Sequence, residues 1–206
     1  MLTLYTAKGS CGTASHIALE ESGLPYEAKL LNLGAGQQRD PDYLRINPKG
    51  RVPALITASG VLTENPAILF YIASMASAVD LLPKDDPFAV AAILSFNAYL
   101  SSTVHVAHAH GRRGSRWADA PEAIAAMQEK VAENMRASFL LIEDEYLKGE
   151  WVMGSGYTIA DPYLFTVAGW LKGDGVDIEE FPKVAEHHAR MLERPAVQKA
   201  LAAERG

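Results

Sequence analysis

Apolar and polar positions alternate in short runs through the first third of the chain. Leu2-Thr3-Leu4-Tyr5-Thr6 predicts a buried strand, and Ala14, Ile17, Ala18 and Glu21 recur at helical spacing over Ala14–Ser22, with Gly23 closing the run. Tyr26–Leu31 predicts a second strand, and the polar stretch Gly34–Gln38 a mobile loop. Two short apolar strands follow, Ala54–Thr57 and Gly60–Thr63, joined by a tight turn at Ala58-Ser59; a helix over Pro66–Ala76 closes the unit. The order β-α-β, then β-β-α, predicts a small mixed sheet with helices on its faces.

Val79–Pro87 carries Pro83, Pro87 and the acidic pair Asp85-Asp86 and reads as a linker. Beyond it the pattern is helical throughout. The spacing predicts helices over Phe88–His110, Pro121–Leu147, Pro182–Glu193 and Ala196–Glu204. Thr158-Ile159-Ala160-Asp161 matches a capping box, with Asp as a shorter variant of the usual third residue, opening a helix towards Leu171. The expected division is an α/β unit over residues 1–78, a linker at 79–87 and an all-helical unit over 88–206.

Composition narrows the function classes. A net charge of −6 argues against a nucleic-acid binder. One cysteine excludes an internal disulfide framework and fits a reducing compartment. The N-terminus lacks the pattern of a secretory signal. Apolar stretches such as Phe88–Leu94 fall far short of the ~20 residues that span a bilayer. A soluble, cytoplasmic protein is expected.

Chemistry concentrates in four places. Gly9-Ser10-Cys11-Gly12 delivers the single thiol to a helix N-terminus, where free N–H groups and the helix dipole favour the thiolate. With Ala14 where a resolving cysteine would stand, such a thiol needs an external partner; the other reading is a buried structural cysteine. In Asn47–Leu55, Pro53 enters a strand and belongs at its start or in a special turn. A cis Val52–Pro53 bond would free the backbone of Val52 for an extended peptide ligand, and an ordinary trans proline is the alternative. Thr63-Glu64-Asn65-Pro66 opens a helix with groups suited to the amine and carboxylate of an amino-acid headgroup, or simply to capping. His105 and His108 lie three apart on a helix, with no carboxylate or cysteine nearby in sequence to complete a metal site, so none is expected. With Arg112, Arg113, Arg116 and Trp117 they edge a pocket, or form a solvated helix end.

Taken in this order and spacing, the whole chain resembles the glutathione transferases. The resemblance rests on Asn47–Leu55, on Leu62–Ile68 and on Tyr157–Phe165, and the start Leu4–Cys11 is similar to the bacterial beta class, which uses cysteine where many classes use tyrosine or serine. It implies a thioredoxin-like N-terminal domain, an all-α C-terminal domain carrying the second-substrate pocket, and a homodimer. Glutathione would be substrate or co-substrate, with a small electrophile or disulfide as the other partner, and detoxification or redox chemistry as the role.

By resemblance, Cys11 and His105 would be catalytic, with Cys11 donating a hydrogen bond to the glutathione sulfur or forming a mixed disulfide. Val52 would pair with the cysteinyl part across a cis Pro53, while Glu64 and Asn65 hold the γ-glutamyl end. Ser10, Arg51, His108, Arg112 and Trp170 would complete the binding site. Three departures from the family pattern stand out: Asn65 replaces the usual Ser or Gly, Arg51 stands where glutamine is common, and Gly34–Gln38 lacks a lysine, whose place Gln37, Arg39 or Arg51 would fill. Conjugation, thiol–disulfide exchange, isomerisation and a non-enzymatic binding module all remain open to this sequence.

Overall fold

A computed structural model describes residues 1–77, 79–154 and 156–205; the expected outer edges of the two units, residues 78 and 206, lie outside them. The first half forms a four-stranded mixed sheet of order β2-β1-β3-β4. Strand β1 (Leu2–Thr6) pairs in parallel with β2 (Tyr26–Leu30) and antiparallel with β3 (Ala54–Thr57), which turns back into β4 (Gly60–Thr63). Leu4 and Leu55 face each other across the centre of this sheet and are fully buried.

Helix α1 (Gly12–Ser22) packs against α3 (Asn65–Met75) and against two helices of the second half, α8 (Ala160–Ala168) and α10 (Pro195–Ala203). That surrounds α1 on nearly all sides and explains why Thr13, Ser15 and His16 are buried along with Ile17 and Leu19. A short helix, α2 (Pro41–Ile46), fills a stretch for which the apolar spacing predicts nothing, because only Tyr43 of its six residues is buried. The Gly34–Gln38 stretch is an ordered turn: Asn32 N–H bonds the Gln37 side chain at 2.8 Å, and the Asn32 side chain accepts from Ala35 N–H at 3.0 Å.

In the helical half, the expected long helices are segmented. Helix α4 (Pro87–Tyr99) starts one residue early, because the Asp86 carboxylate accepts from the N–H groups of Phe88 and Ala89, both at 3.0 Å. It continues through a π-helical turn (Leu100–Val104) into α5 (His105–Arg113) and a 3₁₀ turn (Gly114–Arg116). This unbroken run of 30 residues is long and apolar enough, by length and composition, to cross a membrane, which the shorter sequence windows did not show. Here Ile93, Phe96, Leu100 and Val104 are buried in the protein core.

The expected Pro121–Leu147 helix is broken into α6 (Pro121–Glu129), α7 (Val131–Leu141) and a second π turn (Ile142–Tyr146). Helix α9 (Pro182–Leu192) and α10 follow the expected pattern closely. One apolar core runs from Leu4 and Leu55 through Ile68, Ile72 and Phe96 to Tyr163 and Phe181, so the sheet half and the helical half share their interior. At its base the Asp161 carboxylate, fully buried, accepts from Val152 N–H at 2.9 Å, Thr158 N–H at 2.7 Å and His187 Nε2 at 3.0 Å. The capping box therefore also ties α9 and the Val152 loop to α8.

Candidate active site

The turn after β1 must pass its chain tightly between Thr6 and α1. A Cβ at Gly12 would overlap the Thr6 hydroxyl oxygen and sit 3.0 Å from Thr6 Cβ, so only glycine fits there. Ser10 Oγ accepts from Gly12 N–H at 3.2 Å. This places Cys11 at the helix entrance, almost wholly buried, its thiol aimed at the Val52 carbonyl 3.7 Å away. Two distant residues brace the turn from behind. Glu204, near the end of α10, accepts from Gly9 N–H at 3.1 Å and from the Thr13 hydroxyl at 2.8 Å, and Trp170 donates its indole N–H to the Gly9 carbonyl at 3.0 Å.

The helix entrance does not make Cys11 a thiolate. Burial pushes the thiol up to about 12, outweighing the downward pull of the Arg113 and Arg51 guanidiniums and of backbone N–H, with Glu64 adding to the rise. The expectation drawn from the helix dipole alone leaves out desolvation of the sulfur, which outweighs the neighbouring guanidiniums and the backbone N–H. Cys11 is a protonated hydrogen-bond donor at neutral pH.

Opposite the thiol, the Val52–Pro53 bond is cis. The loop that presents it is tied from below: Tyr43 Oη and Asn47 Nδ2 both donate to the Arg51 carbonyl, at 2.6 and 2.7 Å. Gly50 adopts φ +58°, where a Cβ would press on the Gln38 carbonyl at 3.2 Å. Here Tyr43 and Asn47, neither a sequence candidate, fix the backbone that leads into Val52. The only signal in the sequence was an asparagine directly before Pro48.

At the mouth of α3, Glu64 is the one described non-glycine residue with positive φ (71°). Its carboxylate is exposed and holds Lys49 Nζ at 2.6 Å; the same ammonium reaches Thr63 Oγ1 at 2.9 Å. Asn65 turns the other way. Its side chain is buried, accepts from Ser15 Oγ at 2.6 Å and leaves Nδ2 without a partner. Of Asn65, the backbone N–H rather than the side chain is the group suited to a ligand carboxylate at this helix start.

From the helical half, His105 closes the cleft. Burial, followed by repulsion from Arg113, His108, Arg116 and Arg51, lowers His105 to about 4, so the ring is neutral at pH 7. Arg113 Nη1 stands 3.5 Å from its Nε2. The cleft has two connected lobes. The inner one, about 150 Å³, joins Cys11, Val52, Pro53, Glu64, Asn65 and His105; the outer one, about 370 Å³, joins Ser10, Cys11, Arg51, Val52, His105 and Arg112 with further arginines.

Nine of the eleven site residues expected from sequence thus meet on one cleft. His108 and Trp170 do not. His108 stacks on Trp170 with ring centroids 4.4 Å apart and bonds Asp174 at 2.8 Å, a carboxylate 66 residues away that sequence spacing could not show. Both side chains stand behind His105, which meets Trp170 edge-on at 5.0 Å, and shape the wall without lining it.

Two family models match the chain: glutathione S-transferase, N-terminal domain, over residues 1–74, and glutathione S-transferase, C-terminal domain, over residues 88–195. The Xanthomonas campestris glutathione S-transferase GST-4.5 is 33% identical over 204 residues, covering 98% of both chains. A glutathione transferase homologue from Sulfitobacter, solved with bound glutathione, is 44% identical with a TM-score of 0.95 over 98% of each chain. A bacterial beta-class glutathione S-transferase from Sphingomonas chungbukensis superposes with a TM-score of 0.85 at 33% identity, again over 98% of each chain.

Proposed function

The chain belongs to the glutathione S-transferase family, and we propose that it is a beta-class-like enzyme that binds glutathione between the Val52 backbone and the start of α3 and transfers its sulfur to a small electrophile. The supporting observation is the pairing of a protonated Cys11 thiol with the Val52 carbonyl across the inner lobe. In this reading the cysteinyl segment of glutathione pairs with Val52, and its sulfur replaces the Val52 oxygen as acceptor of the Cys11 hydrogen bond. A thiol donor stabilises a thiolate partner, because hydrogen bonds to an ionised acceptor are roughly twice as strong as neutral ones. The Arg113 and Arg51 guanidiniums act in the same direction.

The ammonium of the γ-glutamyl end takes Glu64 from Lys49, and its carboxylate meets the N-terminus of α3. Residues 1–78 supply this half of the site and residues 88–206 the electrophile pocket. The protein acts in the cytoplasm as a twofold homodimer. In conjugation a sulfur–carbon bond forms, the leaving group departs with the electron pair, and the glutathione proton passes to solvent. Cys11 keeps its proton.

Exchange chemistry would need Cys11 as a thiolate nucleophile, which its burial opposes. Incubation with glutathione disulfide, read by intact mass, separates the two. The expected result is no stable adduct on Cys11, measurable glutathione binding, and conjugation of 1-chloro-2,4-dinitrobenzene that falls roughly tenfold in Cys11→Ser. A single-glutathione adduct that disappears in Cys11→Ser would instead make the protein a thiol–disulfide oxidoreductase. Absence of any glutathione binding would reduce it to a binding module of the same fold.

A further inference from the structure

Five arginines converge on the outer lobe of the cleft, and no carboxylate lines it. Arg39 arrives from the 3₁₀ turn Gln37–Arg39, Arg51 from the loop before Pro53, Arg112 and Arg113 from the last turn of α5, and Arg116 from the turn after it. Among the described residues, ion pairs engage Arg45, Arg136 and Arg194 but none of these five. The chain as a whole carries 25 acidic against 19 basic residues, so the patch runs against its composition.

The C-terminal dipole of α5 accounts for cations at Arg112 and Arg113. It does not account for Arg39 and Arg51, which come from the sheet half and face the same space. Their mutual repulsion is felt locally: beyond burial, Arg113, Arg51 and Arg39 all push Arg116 below its ordinary value. Like charges gathered without counter-charge destabilise the empty protein, and an anionic ligand relieves that cost.

Glutathione alone leaves most of this charge unmatched. In the binding mode above, one of its carboxylates lies at α3 and its ammonium at Glu64, so only its glycyl carboxylate reaches the outer lobe. One carboxylate is satisfied by one or two guanidiniums in bidentate geometry. We therefore infer that the second substrate is an oxyanion-bearing electrophile, whose carboxylate or sulfonate is held by Arg39, Arg112 and Arg116 with its reactive carbon towards Cys11.

This rests on the transferase reading and specifies its substrate class. With an aryl chloride carrying a carboxylate, the step is substitution at carbon: the glutathione sulfur–carbon bond forms, the carbon–chlorine bond breaks, chloride leaves, and the carboxylate takes no part in the chemistry.

The test compares 4-chloro-3,5-dinitrobenzoate with neutral 1-chloro-2,4-dinitrobenzene, each kcat/KM divided by the uncatalysed rate with glutathione. The benzoate is expected to be favoured by roughly tenfold to a hundredfold, with the advantage shrinking as salt rises from about 50 mM to about 500 mM. In Arg112→Gln/Arg116→Gln the ratio of the two normalised values is expected to fall towards one, and Arg39→Gln, on a separate element, is expected to lower it as well. Calorimetry with the benzoate alone gives a readout independent of turnover. Equal normalised rates in the unaltered protein, with conjugation of the neutral substrate intact, would overturn the inference and leave the transferase reading standing. Benzoate binding without conjugation of either substrate would sink the transferase reading, and the substrate assignment with it.

Discussion

The Cys11 thiol donates to the Val52 carbonyl across 3.7 Å, joining the entrance of α1 to the backbone beside the cis proline. Both residues are held there from outside the cleft, Cys11 by Glu204 and Trp170 acting on its turn, Val52 by Tyr43 and Asn47 acting on Arg51.

The protonation state of Cys11 is open to direct measurement. A free thiol titrates near 8.5, and this one is raised to about 12. Alkylation by iodoacetamide is expected to be slow at pH 7 and to climb continuously from pH ~9 towards 12. The sign for stability follows: the neutral thiol is favoured in the folded state, so its contribution is complete below about pH 8.5 and is lost as pH rises towards the folded value. A plateau of reactivity already at pH 7 would contradict this.

Glu64 and Lys49 should respond in opposite directions. Glu64→Ala is expected to weaken glutathione roughly tenfold, through loss of a charge-assisted contact with the ligand ammonium. Lys49→Gln removes the protein's own cation from that carboxylate. Because exposed ion pairs are worth about 0–1 kcal/mol, the gain in affinity is expected to be at most about fivefold. Titration calorimetry on the two variants reads both signs, and weakening by Lys49→Gln would place that ammonium on the ligand instead.

Asp161 is a folding residue without a part in the reaction. Four groups from three segments donate to its buried carboxylate, and Asp161→Ala would leave them unpaired. The expected loss is about 3–5 kcal/mol in urea unfolding. Surviving folded protein should retain its glutathione affinity; a selective loss of affinity at unchanged stability would refute the assignment.

Gly12 tests the packing of the Cys11 turn. Gly12→Ala drives a methyl into the Thr6 side chain and should destabilise by about 1–3 kcal/mol. Thr6→Ala removes the hydroxyl in the way and keeps the Thr6 Cβ, so the double variant is expected to recover part of the loss. A double-mutant cycle with no coupling would show that the two residues do not meet as described.

Much of this was legible in the residues themselves. The strand pattern of Leu2–Thr6, Ala54–Thr57 and Gly60–Thr63 matches the elements observed, because short apolar runs bounded by turn residues mark strands even where neighbouring residues such as Ala54 and Leu55 are both buried. Helix α2 left no apolar stripe, since only Tyr43 is buried, and the interruptions at Leu100–Val104 and Ile142–Tyr146 shift the apolar register by only one position each, too little to break the helical pattern. At the site, local chemistry pointed to Cys11, Pro53 and Glu64. The state of Cys11 did not follow, because the helix dipole is visible in sequence while burial is a property of the whole fold. For the same reason, the partnership of His108 with Asp174 and the inward turn of Asn65 emerge only once α5 meets the 3₁₀ turn Leu171–Asp174 and α3 packs on α1.

The π turn at Leu100–Val104 sets the rotational phase of everything after it. It takes up one residue more than an α-helical turn would, so each residue after it faces about 100° away from where an uninterrupted α-helix of the same sequence would put it. Ile93 and Phe96 before the turn look into the core, whereas His105, Arg112 and Arg116 beyond it look into the cleft. Were Ser101–Thr103 to wind as plain α-helix with the residue count unchanged, everything beyond would be displaced by one position, about 100°, carrying the histidine and the arginines off the cleft together; deleting one residue there would instead close the bulge and leave them facing it. The face that α5 turns towards the cleft therefore depends on the winding of one helical turn as much as on the identity of its residues.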